Sequence, residues 1–105
     1  MLRFNRIELD ILHVLWQTSP ISSIEIFNLL QAPKPAYSTL ALALRLLENK
    51  GILEHQKAGQ KYYYSPVYTR DSYILSKIDD LVDAYFLGDK LAMISFLEQR
   101  MKEAN

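Results

Sequence analysis

The side chains best equipped for chemistry are few, and their spacing argues against most of it. His13 and His55 are the two histidines and no cysteine occurs, which excludes thiolate metal sites, disulfides and a cysteine nucleophile together. The two imidazoles are not at ligand spacing, and neither has a partner nucleophile. Asp71, Asp79, Asp80 and Asp83 read as a solvated helix face, with Asp79 and Asp83 the one pair spaced to share a cation. No metal, no cofactor and no enzymatic activity are expected. Tyr62, Tyr63 and Tyr64 invite a base-stacking reading. Strand alternation, however, sends Tyr62 and Tyr64 to one face and Tyr63 to the other, so one three-ring platform is impossible and packing is the expected role.

What remains is the chemistry of binding. Lys57, Gln60 and Lys61 cluster around a glycine and offer charge and hydrogen bonds to phosphates. The stretch PAYSTLALALRLLENKG, Pro35 to Gly51, has the periodicity of a helix with Leu40, Leu44 and Leu47 on its inner face. Its outer face holds Tyr37, Ser38, Ala41, Leu42 and Arg45, and Thr39 is counted with them as an expected DNA contact. Hydroxyls and a guanidinium can hydrogen-bond base edges, and Ala or Leu can touch a thymine methyl.

These residues need elements to position them. Asn5 is an N-cap for a helix from about Arg6 to Thr18, ended by Thr-Ser-Pro. Ser22 or Ser23 caps a second helix, Ile24 to Gln31, with Ile26, Phe27, Leu29 and Leu30 inward. Two prolines in QAPKPAYS make a connector. The third helix then runs from Ser38 and is stopped by Gly51. ILEHQ and KYYYSP flank KAGQ and form a hairpin, closed by Pro66. Thr69 caps a long helix with Ile74, Ile78, Leu81, Val82 and Tyr85 on one stripe. Gly88 breaks it, and Asp89 caps a last helix presenting Leu91, Ile94, Leu97 and Met101.

Three helices followed by a hairpin read as a winged helix-turn-helix, in which the third helix enters the major groove and the hairpin approaches the backbone. The fold class is therefore mainly α with a small β-hairpin. Residues 1–68 are expected to be a winged-helix DNA-binding domain and residues 69–105 a helical dimerisation region. The stripes of the last two helices, Ile74, Ile78, Leu81, Val82, Tyr85, Leu91, Ile94 and Leu97, have no third helix to cover them. They could fold back on the first domain, but the favoured expectation is that they meet the same helices of a second chain, placing two reading heads on a palindromic site of double-stranded DNA.

The whole composition agrees with a folded chain of 105 residues, half of them apolar. Formal net charge is zero, but residues 1–68 carry seven Lys/Arg against five acids, and residues 69–105 carry five against seven. That asymmetry matches a nucleic-acid-facing front and an acidic back. The start, MLRFNRIELD, offers no apolar core of signal-peptide length, and no later stretch approaches the roughly twenty apolar residues of a membrane span. A cytoplasmic location away from any membrane is expected.

Several separated motifs keep one order and spacing. ELDILHVLW, PISSIEIFNLL, YSTLALALRLLENKGIL and KYYYSPVYTRDSY, with YFLGDKLAMISFL after them, resemble the BlaI/MecI family of penicillinase repressors, which includes the CopY-like copper-responsive repressors. The match is colinear from about residue 8 to residue 98. A more distant resemblance, to PadR-like regulators, covers STLALALRLLENKG and KYYY. The first resemblance implies a bacterial or archaeal homodimeric repressor that binds an operator through its third helix and wing.

Departures from the pattern are specific. Ser38, Ala41 and Leu42 stand where penicillinase-type members place Lys, Arg and Thr, while Thr39 is retained. Leu46 replaces an Arg common in the family, with Arg45 one position earlier. The copper-type cysteine cluster is missing, and Ser95-Phe96 stands where a sensor protease cuts Asn-Phe in the penicillinase type. A sensor protein for this chain is left unknown. The alternative reading is a winged-helix protein-interaction module that keeps the dimer and uses the Ala41 and Leu42 face to dock another protein.

Overall fold

A computed structural model describes residues 3–104. The outer limits of the two expected domains, residues 1 and 105, lie outside the described residues. The chain divides into two compact units, one running through Thr69 and the other starting at Arg70.

In the first unit, α1 spans Arg6–Gln17 and begins with a reciprocal cap. The Asn5 Oδ1 accepts from the Glu8 N–H at 2.9 Å, and the Asn5 N–H donates to Glu8 Oε1 at 3.0 Å. This satisfies two donors that a helix start leaves orphaned. Glu8 is buried, and its other oxygen receives Lys50 Nζ at 3.4 Å, so neither oxygen is left without a partner. Asn5→Ala is expected to cost about 1 kcal/mol of unfolding free energy, checked by chemical denaturation against the parent chain.

A two-residue strand, β1 (Ile21–Ser22), comes next, and then α2 (Ser23–Leu29), capped by Ser22 with Glu25 in the same reciprocal way. Helix α3 spans Tyr37–Asn49 and is followed by Gly51 at φ 79, a left-handed conformation that glycine adopts without steric cost. Strands β2 (Leu53–Ala58) and β3 (Lys61–Pro66) form the hairpin. Its two-residue turn has Gly59 first at φ 64, the position type II′ reserves for glycine.

The hairpin expected from sequence is part of a three-stranded antiparallel sheet of order β1-β3-β2. Ile21 pairs with Tyr64 and Ser22 with Tyr63, so β1 occupies the edge of β3 that β2 leaves open. A second correction concerns α2, which stops at Leu29 rather than Gln31. Leu30 turns to an extended backbone and fills the core, whereas Leu29, expected inward, is left exposed.

One apolar core unites these elements: Ile11, Leu12 and Leu15 of α1, Ile26 of α2, Leu40, Leu44 and Leu47 of α3, and Ile52 and Leu53 entering β2. The expected inner face of α3 is thus fully buried. Its outer positions are free because that core is complete without them.

The second unit is a pair of helices, α4 (Arg70–Tyr85) and α5 (Lys90–Ala104). Asp89 Oδ1 accepts from the Ala92 N–H at 3.1 Å, giving α5 the cap expected of it. Lys90 pairs with Asp79 at 3.3 Å, and the Phe86 and Phe96 rings lie 5.8 Å apart. α5 buries none of its described residues. Among the described residues, no helix is long and apolar enough to cross a membrane.

Candidate nucleic-acid interface

Helix α3 is held so that a fixed set of side chains faces outward. The 3.6-residue repeat places Ser38, Leu42, Arg45 and Asn49 on one face, with Ala41 on one flank and Thr39 and Leu46 on the other. All of them are exposed. Asn49 and Leu46 were not among the expected contact residues. Their signal was the helical repeat itself, since both fall opposite the Leu40, Leu44 and Leu47 stripe.

Tyr37 is exposed at the start of α3, yet its phenol is engaged by α2. Its oxygen lies 2.6 Å from Ser23 Oγ, and its ring meets Phe27 edge-on at 5.7 Å. These contacts join the start of α3 to α2, beside the core packing of Ile26 against the α3 leucines.

The wing is tied to the same helix by a contact that sequence spacing did not reveal. His55 Nδ1 on β2 is hydrogen-bonded to Glu48 Oε2 on α3. The imidazole also stacks on Tyr62 at 4.3 Å and lies 5.8 Å from Tyr64. Tyr62 and Tyr64 therefore share the His55 face of the hairpin, as alternation requires, and serve packing. Burial, with the Glu48 carboxylate adding to it, pushes the Tyr64 phenol above its ordinary value. At the other end of the sheet, the Trp16 Nε1–H donates to the Tyr68 carbonyl at 3.1 Å, joining the end of α1 to the exit of the wing.

Electrostatics distinguish the candidate cations from Arg6, Lys34 and Lys50, while Arg3, like the candidates, takes part in no ion pair among the described residues. Arg6 pairs with Asp10 at 3.3 Å, Lys50 with Glu8, and Lys34 donates to the carbonyls of Phe27 and Asn28. Arg45, Lys57 and Lys61 take part in no ion pair among the described residues. With Gln60 in the turn, Lys57 and Lys61 stand exposed at the wing tip. Cations without internal ion pairs can neutralise phosphates and displace the counterions condensed on a polyanion at no cost in broken salt bridges.

In the second unit, Leu81, Tyr85, Leu91, Ile94 and Leu97 are exposed apolar side chains, with Tyr85 at 79% and Leu91 at 73%. Ile74 and Ile78 are half-buried. Val82 is buried within the single chain and keeps no area for a second one.

Comparison with known proteins gives a consistent result. Residues 5–105 match the family model described as penicillinase repressor. A penicillinase repressor of Bacillus licheniformis is 31% identical over 97 residues, covering 87% of this chain and 73% of that protein. The solution structure of the DNA-binding domain of the repressor BlaI superposes with a TM-score of 0.59 at 28% identity, over 68% of this chain and 88% of that one. A homodimeric winged helix-turn-helix DNA-binding domain from Mycobacterium bovis, a possible ArsR-family regulator, shares the fold. Its TM-score is 0.56 at 19% identity, over 82% of this chain and 76% of that one.

Proposed function

This chain belongs to the penicillinase repressor family, and on that premise we propose that it is a DNA-binding transcriptional repressor acting as a homodimer on a palindromic operator. The observation that carries the reading is the exposed face of α3 beside three cations without internal partners, Arg45, Lys57 and Lys61. Ser38, Thr39, Ala41, Leu42 and Arg45 meet the major groove, and Tyr37 orients them. Lys57, Gln60 and Lys61 meet the flanking phosphates. The site of action is the cytoplasm, where the DNA is, and the activity is binding rather than catalysis.

The first unit, through about residue 68, reads DNA, and the second joins two protomers through Ile74, Ile78, Leu81, Tyr85, Leu91, Ile94 and Leu97, with Val82 supporting the stripe from inside. A helix pair that leaves this much apolar surface in water gains by covering it. An isologous contact also sets two reading heads at fixed spacing.

Two wing lysines per protomer give four phosphate contacts per dimer, so the logarithm of the binding constant should fall with the logarithm of salt at a slope of about −4. Lys57→Ala removes two of the four contacts and should flatten the slope by about 2. Fluorescence anisotropy on a duplex from upstream of the chain's own coding sequence measures both slopes. If that duplex shows no preference over random sequence at low salt, the DNA reading fails and docking of another protein on the Ala41 and Leu42 face takes its place.

A further inference from the structure

The outer face of α3 carries aliphatic side chains that the fold does not use. Leu42 and Leu46 are 46% and 44% exposed and sit one helical turn apart, with Ala41 close to Leu42. Ser38, Thr39, Arg45 and Asn49 supply the hydrogen-bonding groups among the exposed positions, and the Tyr37 hydroxyl is already bonded to Ser23.

An aliphatic side chain on a helix in the major groove has one apolar partner there. Guanine and adenine present acceptors and donors, cytosine presents its amino group, and thymine alone presents a C5 methyl. Phosphates and sugars give a leucine nothing comparable. The nucleic-acid occupant is favoured on this face because Arg45, without an ion pair among the described residues, lies on the same surface. Lys57 and Lys61 stand on the hairpin that Glu48 and His55 join to α3.

Resting on the DNA-binding role of α3, we propose that Leu42 and Leu46 read thymine methyl groups, so that sequence preference in this repressor depends on two thymines in each half-site. Spacing narrows the pattern further. Four residues of α-helix rise about 6 Å, and successive bases along a strand are about 3.4 Å apart. The two methyls therefore lie about two base-pair steps apart. Hydrogen bonds from Arg45 and Thr39 fix register, and the leucines discriminate by shape.

The test begins with selection of preferred duplexes from a random pool by the full chain. Each thymine in one half-site of the selected duplex is then replaced by deoxyuridine, which removes the methyl and leaves base pairing intact. Two replacements should each weaken binding about fourfold, equivalent to about 0.8 kcal/mol for a buried methyl-sized group. In Leu42→Ala and Leu46→Ala, each variant should be indifferent to one of those replacements. Both side chains are half exposed, so the variants keep the fold.

A selected site without thymines at this spacing would overturn the proposal. So would unchanged affinity for the uracil duplex, or uracil penalties identical in the parent and both variants. Failure of the selection to return any preferred sequence is a different result, because it removes the DNA-binding role of α3 itself.

Discussion

Leu81→Lys is expected to turn the proposed dimer into a protomer that sediments as a single chain at micromolar concentration. Leu81 lies on the α4 stripe and is 45% exposed, so a lysine there is tolerated by the single chain but sets one charge against its symmetry mate across a twofold contact. Operator affinity should fall by about a hundredfold or more, because each reading head loses the high local concentration conferred by its tethered partner. Circular dichroism should show unchanged helix content, which separates dissociation from unfolding. Ser76→Lys, about half a turn round α4 from the stripe, should leave the dimer intact. Equal sedimentation of the Leu81→Lys chain and its parent as dimers would remove Leu81 from the interface.

Leu44→Ala is expected to lower the unfolding free energy by about 2–5 kcal/mol, the cost of lost burial plus the cavity left behind. Leu44 is 1% exposed within the core shared by α1, α2, α3 and β2. Against a total of about 5–15 kcal/mol for an ordinary domain, such a loss takes a large fraction of the stability. Leu42→Ala, two residues away on the outer face, should change stability by no more than about 0.5 kcal/mol. Denaturant titration of both variants separates the faces of α3, and equal losses would contradict the division between core and interface. The pair also separates two routes to lost operator binding: Leu44→Ala acts through folding, and Leu42→Ala through contact.

Local patterns carried most of the architecture. Asn5 with Glu8 three residues on, and Ser22 with Glu25, are readable cap signatures, and both are present. Gly51 and Gly59 mark positions of positive φ that were legible from residue type alone. The inner stripe of α3 followed from the helical repeat. Strand β1 was not legible, because two residues are too short to show alternation and Ile21–Ser22 becomes a strand only by pairing with β3. The inward reading of Leu29 failed for a related reason. Periodicity continued the helix beyond Leu29, while the chain turned at Leu30 to fill the core.

The candidate interface divides in the same way. Which α3 residues face outward is a property of one helix and could be read from spacing. The engagement of Tyr37 with Ser23, the clamp between His55 and Glu48, and the pairing that consumes Lys50 but leaves Arg45 without an ion pair all depend on contacts between different elements rather than on spacing within one. Sequence alone determined the five helices, the hairpin, the caps at Asn5 and Asp89 and the inner face of α3, because these depend on backbone geometry and neighbours within a turn or two. Only the tertiary structure decided which charges remain available to a partner and how the wing is fixed to α3, because those outcomes depend on which elements the core brings within hydrogen-bond reach.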